Sequence, residues 1–333
     1  MVRPRTLDLF CGGGGSSYGA RLAGAEIVCG VDMWEVATET FQDNFPEALA
    51  VTAKLGAGTG PDSLDGAGPI DLIIASPECT NHTCARGSRE RDEESRRTAL
   101  YVLDFVEAFK PRWVVIENVI QMRSWEGFAG LLEWLGRDYS VKDMVLDAAD
   151  FGVPQTRRRL FIVCDREREV PPVVGPGGGV PARRVIDWSG SWHAGPLYHP
   201  RRATPTLERA ERAIAQIGKG EPFLIVYYGS DGSGGWQPLG RPLRTMTTLD
   251  RFGLVRWDGK TPTLRMLQVP ELRKAMGFSA DYVMRHGSRR DQIKLLGNGV
   301  CAPVMKAVVE TLTGGEMLPE PESEDSEITS VLG

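Results

Sequence analysis

The chain has 333 residues, 41% of them apolar and 25% charged, which is room for one large domain or two at ordinary globular usage. No run approaches the roughly 20 apolar residues of a membrane span, and the charged start followed by a glycine-broken run does not read as a signal peptide. Six cysteines at no repeated spacing argue against a secreted disulfide scaffold and for a cytoplasmic protein with reduced thiols. The net charge of −5 is uneven: residues 316–333 hold six acids and no Lys or Arg, which leaves residues 1–315 at +1. Between 151 and 215, eleven Arg face six Asp and Glu. A polyanion-binding face with an acidic, disordered tail is one reading of this pattern. A solvated, loop-rich surface is the other.

In chain order, TLDLFC (6–11) reads as a short buried strand that ends in Gly12–Gly15. SSYGARLAG then starts a helix with Ser16 or Ser17 as its cap. AEIVCGVD (25–32) is a second strand with Asp32 at its carboxyl end, and EVATETFQDNF reads as helical. A third strand, DLIIAS (71–76), leads into PECTNHTCARG and the charge-dense RGSRERDEESRR (86–97). The amphipathic TALYVLDFVEAF precedes a fourth strand, RWVVIEN (112–118), and residues 140–165 read as a hairpin. Such alternation predicts an α/β fold, a doubly wound Rossmann-like sheet whose ligands sit at the strands' carboxyl ends. PPVVGPGGGVP is a linker, and 186–262, rich in Gly, Trp and Tyr, reads as a smaller second domain. From 263 helical periodicity returns in TLRMLQVPELRKAMGF and QIKLLGNGVCAPVMKAVVETL. The expected division is therefore a catalytic domain of 1–165 plus 263–313, a second domain of 166–262, and a tail of 314–333.

A Gly-rich turn after the first strand favours a nucleotide-like ligand but does not spell GxGxxG. Asp32 would accept hydrogen bonds from ribose hydroxyls; alternatively it caps the following helix. Glu117, ending an apolar strand, is placed for a raised pKa or a tight hydrogen bond. Cys79, in the loop after a neighbouring strand, suits a nucleophile, although a lone loop cysteine is more often inert. Cys79, His82 and Cys84 lack a fourth ligand for zinc, so no metal is expected.

DLFCGGGGSSYGARLAG, GVDMWEVATETFQDNF, SPECTNHT, IENV, QTRRRLFIV and LLGNGV together, in order and spacing, resemble the cytosine-C5 DNA methyltransferases. The resemblance implies a methyltransferase sheet with a target-recognition domain across a DNA cleft, and S-adenosylmethionine as cofactor. It implies that Phe10, Gly12, Gly14, Gly15 and Pro77 line the cofactor loops. Asp32 would take the ribose, Met33 would pack on adenine, and Asn298 and Val300 would form the cofactor motif near the C-terminus. Glu117 would hold the target base at its N3 and N4 edge, with Arg157 and Arg159 organising its pocket. A base inside a duplex is out of reach and must be flipped out, and 86–97 falls where the family's loop closes over DNA. Double-stranded DNA is the implied partner of a monomer in a bacterial or phage-infected cell, with a cognate restriction endonuclease left open.

Two departures from the family pattern matter. The family's nucleophile follows proline directly, whereas here Ser76-Pro77-Glu78-Cys79 separates the two. With one inserted residue Cys79 is the nucleophile; without it Glu78 stands in that place and thiol catalysis is lost. Ser-Pro-x-x also resembles the loop of enzymes that methylate exocyclic amines, so cytosine-N4 methylation on the same scaffold is the alternative. The second departure is Lys54, where the family usually has an acid that touches the adenine amino group.

Overall fold

The computed structural model describes residues 3–56, 59–77, 93–228 and 235–314. Seven strands, β1 (Arg5–Leu9), β2 (Glu26–Asp32), β3 (Leu49–Thr52), β4 (Leu72–Ala75), β5 (Trp113–Asn118), β6 (Ser140–Asp147) and β7 (Arg158–Asp165), form one sheet in the order 3-2-1-4-5-7-6. The first five run parallel, and β7 is antiparallel to both β5 and β6. Alternation along the central strands explains the two cores: Leu7, Leu9, Ile73 and Ala75 face one way, Leu72 and Ile74 the other. Helices α1 (Gly15–Leu22), α2 (Glu35–Asn44), α3 (Glu93–Phe109) and α4 (Phe128–Leu135) connect the strands and cover the sheet. This is the doubly wound α/β architecture the alternation predicts, with β3 added.

Two local expectations are corrected. Neither Ser16 nor Ser17 caps α1: Gly14, at φ +86°, takes the N-cap position. The Ser17 hydroxyl instead donates to Asp8 Oδ2 at 2.7 Å. Residues 263–266 are not helical, because Thr261–Met266 is β12, paired antiparallel with β11 (Phe252–Asp258). The run Arg289–Thr313 has the length and mean hydropathy of a membrane span, as the buried helices of a core also can. It is two mostly buried helices, α7 (Arg289–Asn298) and α8 (Ala302–Thr313), and α8 packs on α1.

Strands β8 (Gly195–Pro196), β9 (Phe223–Val226), β10 (Trp236–Pro238), β11 and β12 form a second sheet in the order 10-9-11-12-8. Period-2 alternation in β9 divides its side chains: Phe223 and Ile225 pack with α5 (Thr204–Ile217), whereas Leu224 and Val226 join the larger core. Helix α6 (Val269–Ala275) follows β12 through a capping box made by Gln268 and Glu271. The Pro/Gly stretch after 170 is fastened to the body, with Val173 buried and Gly177 N donating to Asp150 O at 2.9 Å.

Candidate active site

At the carboxyl ends of β1, β2, β4 and β5 lies a cavity of about 420 Å³, within the range of small-molecule sites. Phe10, Gly12, Ser16, Asp32, Met33, Trp34, Ser76, Pro77 and Glu117 line one side, and Lys294, Leu295 and Gly297–Val300 with Arg157 and Arg159 contribute the other. The chain turns sharply on leaving β1. Phe10 adopts φ +57°, a left-handed conformation that non-glycine residues rarely take, and Gly12 and Gly14 adopt +52° and +86°. Gly14 N donates to Cys11 O at 2.8 Å, which closes the turn. Gly14 and Gly15 stand behind the cavity wall: a Cβ on Gly15 would lie 2.8 Å from Val300 O, so glycine lets the loop rest on the C-terminal motif.

Asp32 ends β2 with both carboxylate oxygens already engaged. Gly12 N donates to Oδ2 and Trp34 N to Oδ1, each at 2.9 Å. The Trp34 bond turns the chain into α2, whose N-cap residue is Trp34, so the helix-start reading of Asp32 also has substance. Asp32 lines the cavity, where a carboxylate can accept hydrogen bonds from a ligand. Met33 stands more than half exposed beside it. Asn298 is exposed on the opposite wall, and Val300 is buried.

Glu117 is only 5% exposed. Burial raises its pKa, and Arg159 and then Arg157 act against that shift. Arg159 Nε lies 3.3 Å from Glu117 Oε1 as an ion pair without hydrogen-bond alignment. Arg157 is turned elsewhere: its guanidinium donates to Met246 O at 3.2 Å and to Gly297 O and Gly299 O at 2.9 Å each. Lys54 is exposed just past the end of β3. Glu78, Cys79, His82, Cys84 and the segment 86–92 lie outside the described residues. Pro77, the last residue described before them, is buried, and its carbonyl accepts from Asn118 Nδ2 at 3.1 Å.

Several residues at the site went unassigned in the sequence. Asn118 holds the Pro77 carbonyl and also accepts from Val119 N at 2.8 Å. The Tyr282 hydroxyl donates to Gly13 O at 2.5 Å, and its ring stacks on Phe278 at 4.0 Å. Lys294 Nζ sits 4.2 Å from the centre of the Trp34 ring, bridging the two walls by a cation–π contact. Gln155 Oε1 accepts from Met246 N at 2.8 Å. Only Gln155 had a readable signal: in extended chain, 155, 157 and 159 of QTRRR fall on one face.

A family model described as C-5 cytosine-specific DNA methylase matches residues 4–183. Type II methyltransferase M.HgiDI of Herpetosiphon aurantiacus is 32% identical over 256 residues, 72% of this chain and 80% of that protein. Type II methyltransferase M.AgeI of Thalassovita gelatinovora is 32% identical over 184 residues, 50% of this chain but only 41% of that protein. Among solved structures, the Entamoeba histolytica methyltransferase EhMeth superposes with a TM-score of 0.67 at 16% identity, covering 94% of this chain and 99% of that one. At that identity the superposition speaks for the fold alone. Nothing in these matches supports the amino-directed alternative.

Proposed function

This chain belongs to the C-5 cytosine-specific DNA methylase family, and we propose that it methylates C5 of a cytosine flipped out of double-stranded DNA, with S-adenosylmethionine as methyl donor. One observation carries the reading: the buried carboxyl of Glu117, beside Arg159, lines the same cavity as the ribose-type acceptor Asp32. The residues present fit the cofactor. Asp32 presents a carboxylate to the ribose, Met33 supplies apolar surface for the purine, and the 10–15 turn with Phe10 and the 297–300 break enclose the methionine end. When bound, S-adenosylmethionine supplies an electrophilic methyl group to C5.

The protein's task is to make a poor nucleophile react. C5 of cytosine gains enamine character when the Cys79 thiolate adds to C6 and Glu117 hydrogen-bonds N3. A carboxyl whose pKa is raised by burial keeps its proton to higher pH, and so can donate it to N3 as charge develops on the ring. Arg159 holds Glu117 in place and neutralises it whenever it ionises. Once C5 is methylated, loss of its proton to a base expels the thiol. Asn118, through the Pro77 carbonyl, sets where the loop bearing Cys79 begins. The second sheet with α5 serves as the target-recognition unit, and the basic stretch 151–215 contributes phosphate contacts. The enzyme acts as a monomer in the cytoplasm of a bacterium or phage-infected cell. As the relatives are named Type II methyltransferases, a restriction endonuclease of the same specificity is the companion to look for.

DNA carrying 5-fluorocytosine tests the thiol step, because fluorine cannot leave C5 as a proton does. Wild-type enzyme and cofactor should give a denaturation-resistant protein–DNA adduct that Cys79→Ser abolishes along with turnover. An active Cys79→Ser enzyme that forms no adduct would transfer the role to an amino-directed site containing Glu78 or Ser76.

A further inference from the structure

Arg157 occupies the meeting point of base pocket and cofactor motif, yet its donors are committed to backbone carbonyls of two separate segments. Nη1 reaches Met246 O, and Nη2 reaches both Gly297 O and Gly299 O. Two residues earlier, Gln155 accepts from Met246 N and donates to Ala275 O at 2.9 Å. Both polar groups of the Met246 backbone are therefore held by side chains of one extended segment. Gln155 is 0% and Arg157 3% exposed, so these bonds form away from water.

Met246 belongs to the stretch that links β10 to β11 of the second sheet. That stretch is joined to 154–156 by Leu243 N to Pro154 O at 2.9 Å, Thr156 N to Leu243 O at 2.8 Å and Thr245 Oγ1 to Thr156 O at 2.7 Å. It also touches the cofactor side directly, since a Cβ on Gly297 would fall 2.4 Å from Thr247 O. Gly297 and Gly299 flank Asn298, which faces the cavity. A guanidinium is a planar fork of fixed geometry. It cannot follow a displaced pair of acceptors at 297 and 299 and still hold Met246 O.

We propose that Arg157 is a positioning residue that couples the 243–247 segment of the second sheet to the cofactor-side break at 297–300, so that filling the cavity stiffens the target-side segment. The proposal rests on the reading of the cavity as a S-adenosylmethionine site. Because binding free energies are linked reciprocally, DNA that orders 243–247 then also tightens cofactor binding.

Hydrogen exchange of the full chain, with S-adenosylmethionine as the probe and no DNA, tests it. In wild type the cofactor should slow exchange of the Leu243 and Met246 amides about fivefold or more, the lower bound of ordinary coupling, although neither residue lines the cavity. In Arg157→Met, at cofactor concentrations that saturate the site as read at Gly12 and Trp34, the protection at 243 and 246 should be lost. Arg157→Lys, which retains the charge without the fork, should fall between. Protection at Gly12 and Trp34 with unchanged exchange at 243 and 246 in wild type would overturn the proposal, whether or not Arg157→Met folds. So would equal protection at 243 and 246 in wild type and Arg157→Met. Absence of protection everywhere would remove the cofactor reading itself, and the proposal with it.

Discussion

Asp8 and Asp32 lie close together on neighbouring strands, and their surroundings give them different tasks. Asp32 lines a cavity and is oriented there by two amides, so its carboxylate is presented to a ligand. Its replacement by Ala should weaken S-adenosylmethionine binding by about 1.5–3 kcal/mol, the worth of hydrogen bonds to a charged acceptor. Calorimetry would read that directly, and unchanged affinity would place the ribose elsewhere. Asp8 is fully buried beneath the glycine turn. Its Oδ2 accepts from Ser17 N and Oγ, while Oδ1 has no hydrogen-bond partner. Burial pushes its pKa up from 3.8 to about 7. The folded state therefore binds more protons than the unfolded chain between about pH 4 and 7, so this residue's contribution to stability falls as pH rises through that window and levels off above it. Asp8→Asn does not titrate. Its urea midpoint relative to wild type should shift in the mutant's favour between pH 5 and pH 8, and a constant difference would mean that Asp8 is ionised throughout.

At the scale of elements, the junction of β12 and α6 shows how an ion pair can join segments. Arg265 on β12 meets Glu271 on α6 in a two-pronged contact, both bonds at 2.7 Å and both residues within 5% of full burial. Glu271 also accepts from Asp187 N and Gln268 N. Removing the cation alone leaves a buried carboxylate without its counter-ion. Arg265→Met should thus cost about 3–5 kcal/mol in urea denaturation, and a loss under 1 kcal/mol would show that water reaches Glu271. The same junction explains one failure of the sequence reading. TLRMLQVPELRKAMGF has helical spacing throughout, but its first residues become strand because β11 pairs with them from Gly253 to Asp258, a non-local cause. Strand β3 was missed for a different reason: it is only four residues long, LAVT, at the edge of the sheet, too short for its apolar run to show a period. Strands β1, β2, β4 and β5 were legible as apolar runs ended by polar residues, and the same endings exposed Asp32 and Glu117. Tyr282, Trp34 and Lys294 were not legible. Their roles depend on partners up to 269 residues away in the chain.

For the whole molecule, two sheets share one core, and the candidate site lies along the carboxyl edge of the larger. Leu224, Val226, Phe252 and Leu254 of the second sheet join Phe161, Val163 and Val300 in a single apolar cluster, so the second sheet is seated on the larger one by burial as well as by the 243–247 bonds. Glu117 lines both the large cavity and a small recess beside it, where the proposed base pocket and cofactor site would meet. One product follows from that geometry. Unmethylated DNA incubated with the enzyme and S-adenosylmethionine, digested to nucleosides and weighed by mass spectrometry, should contain 5-methyl-2′-deoxycytidine and no N4-methyl-2′-deoxycytidine. Appearance of the N4 isomer would contradict the thiol mechanism and the place given to Glu117 within it.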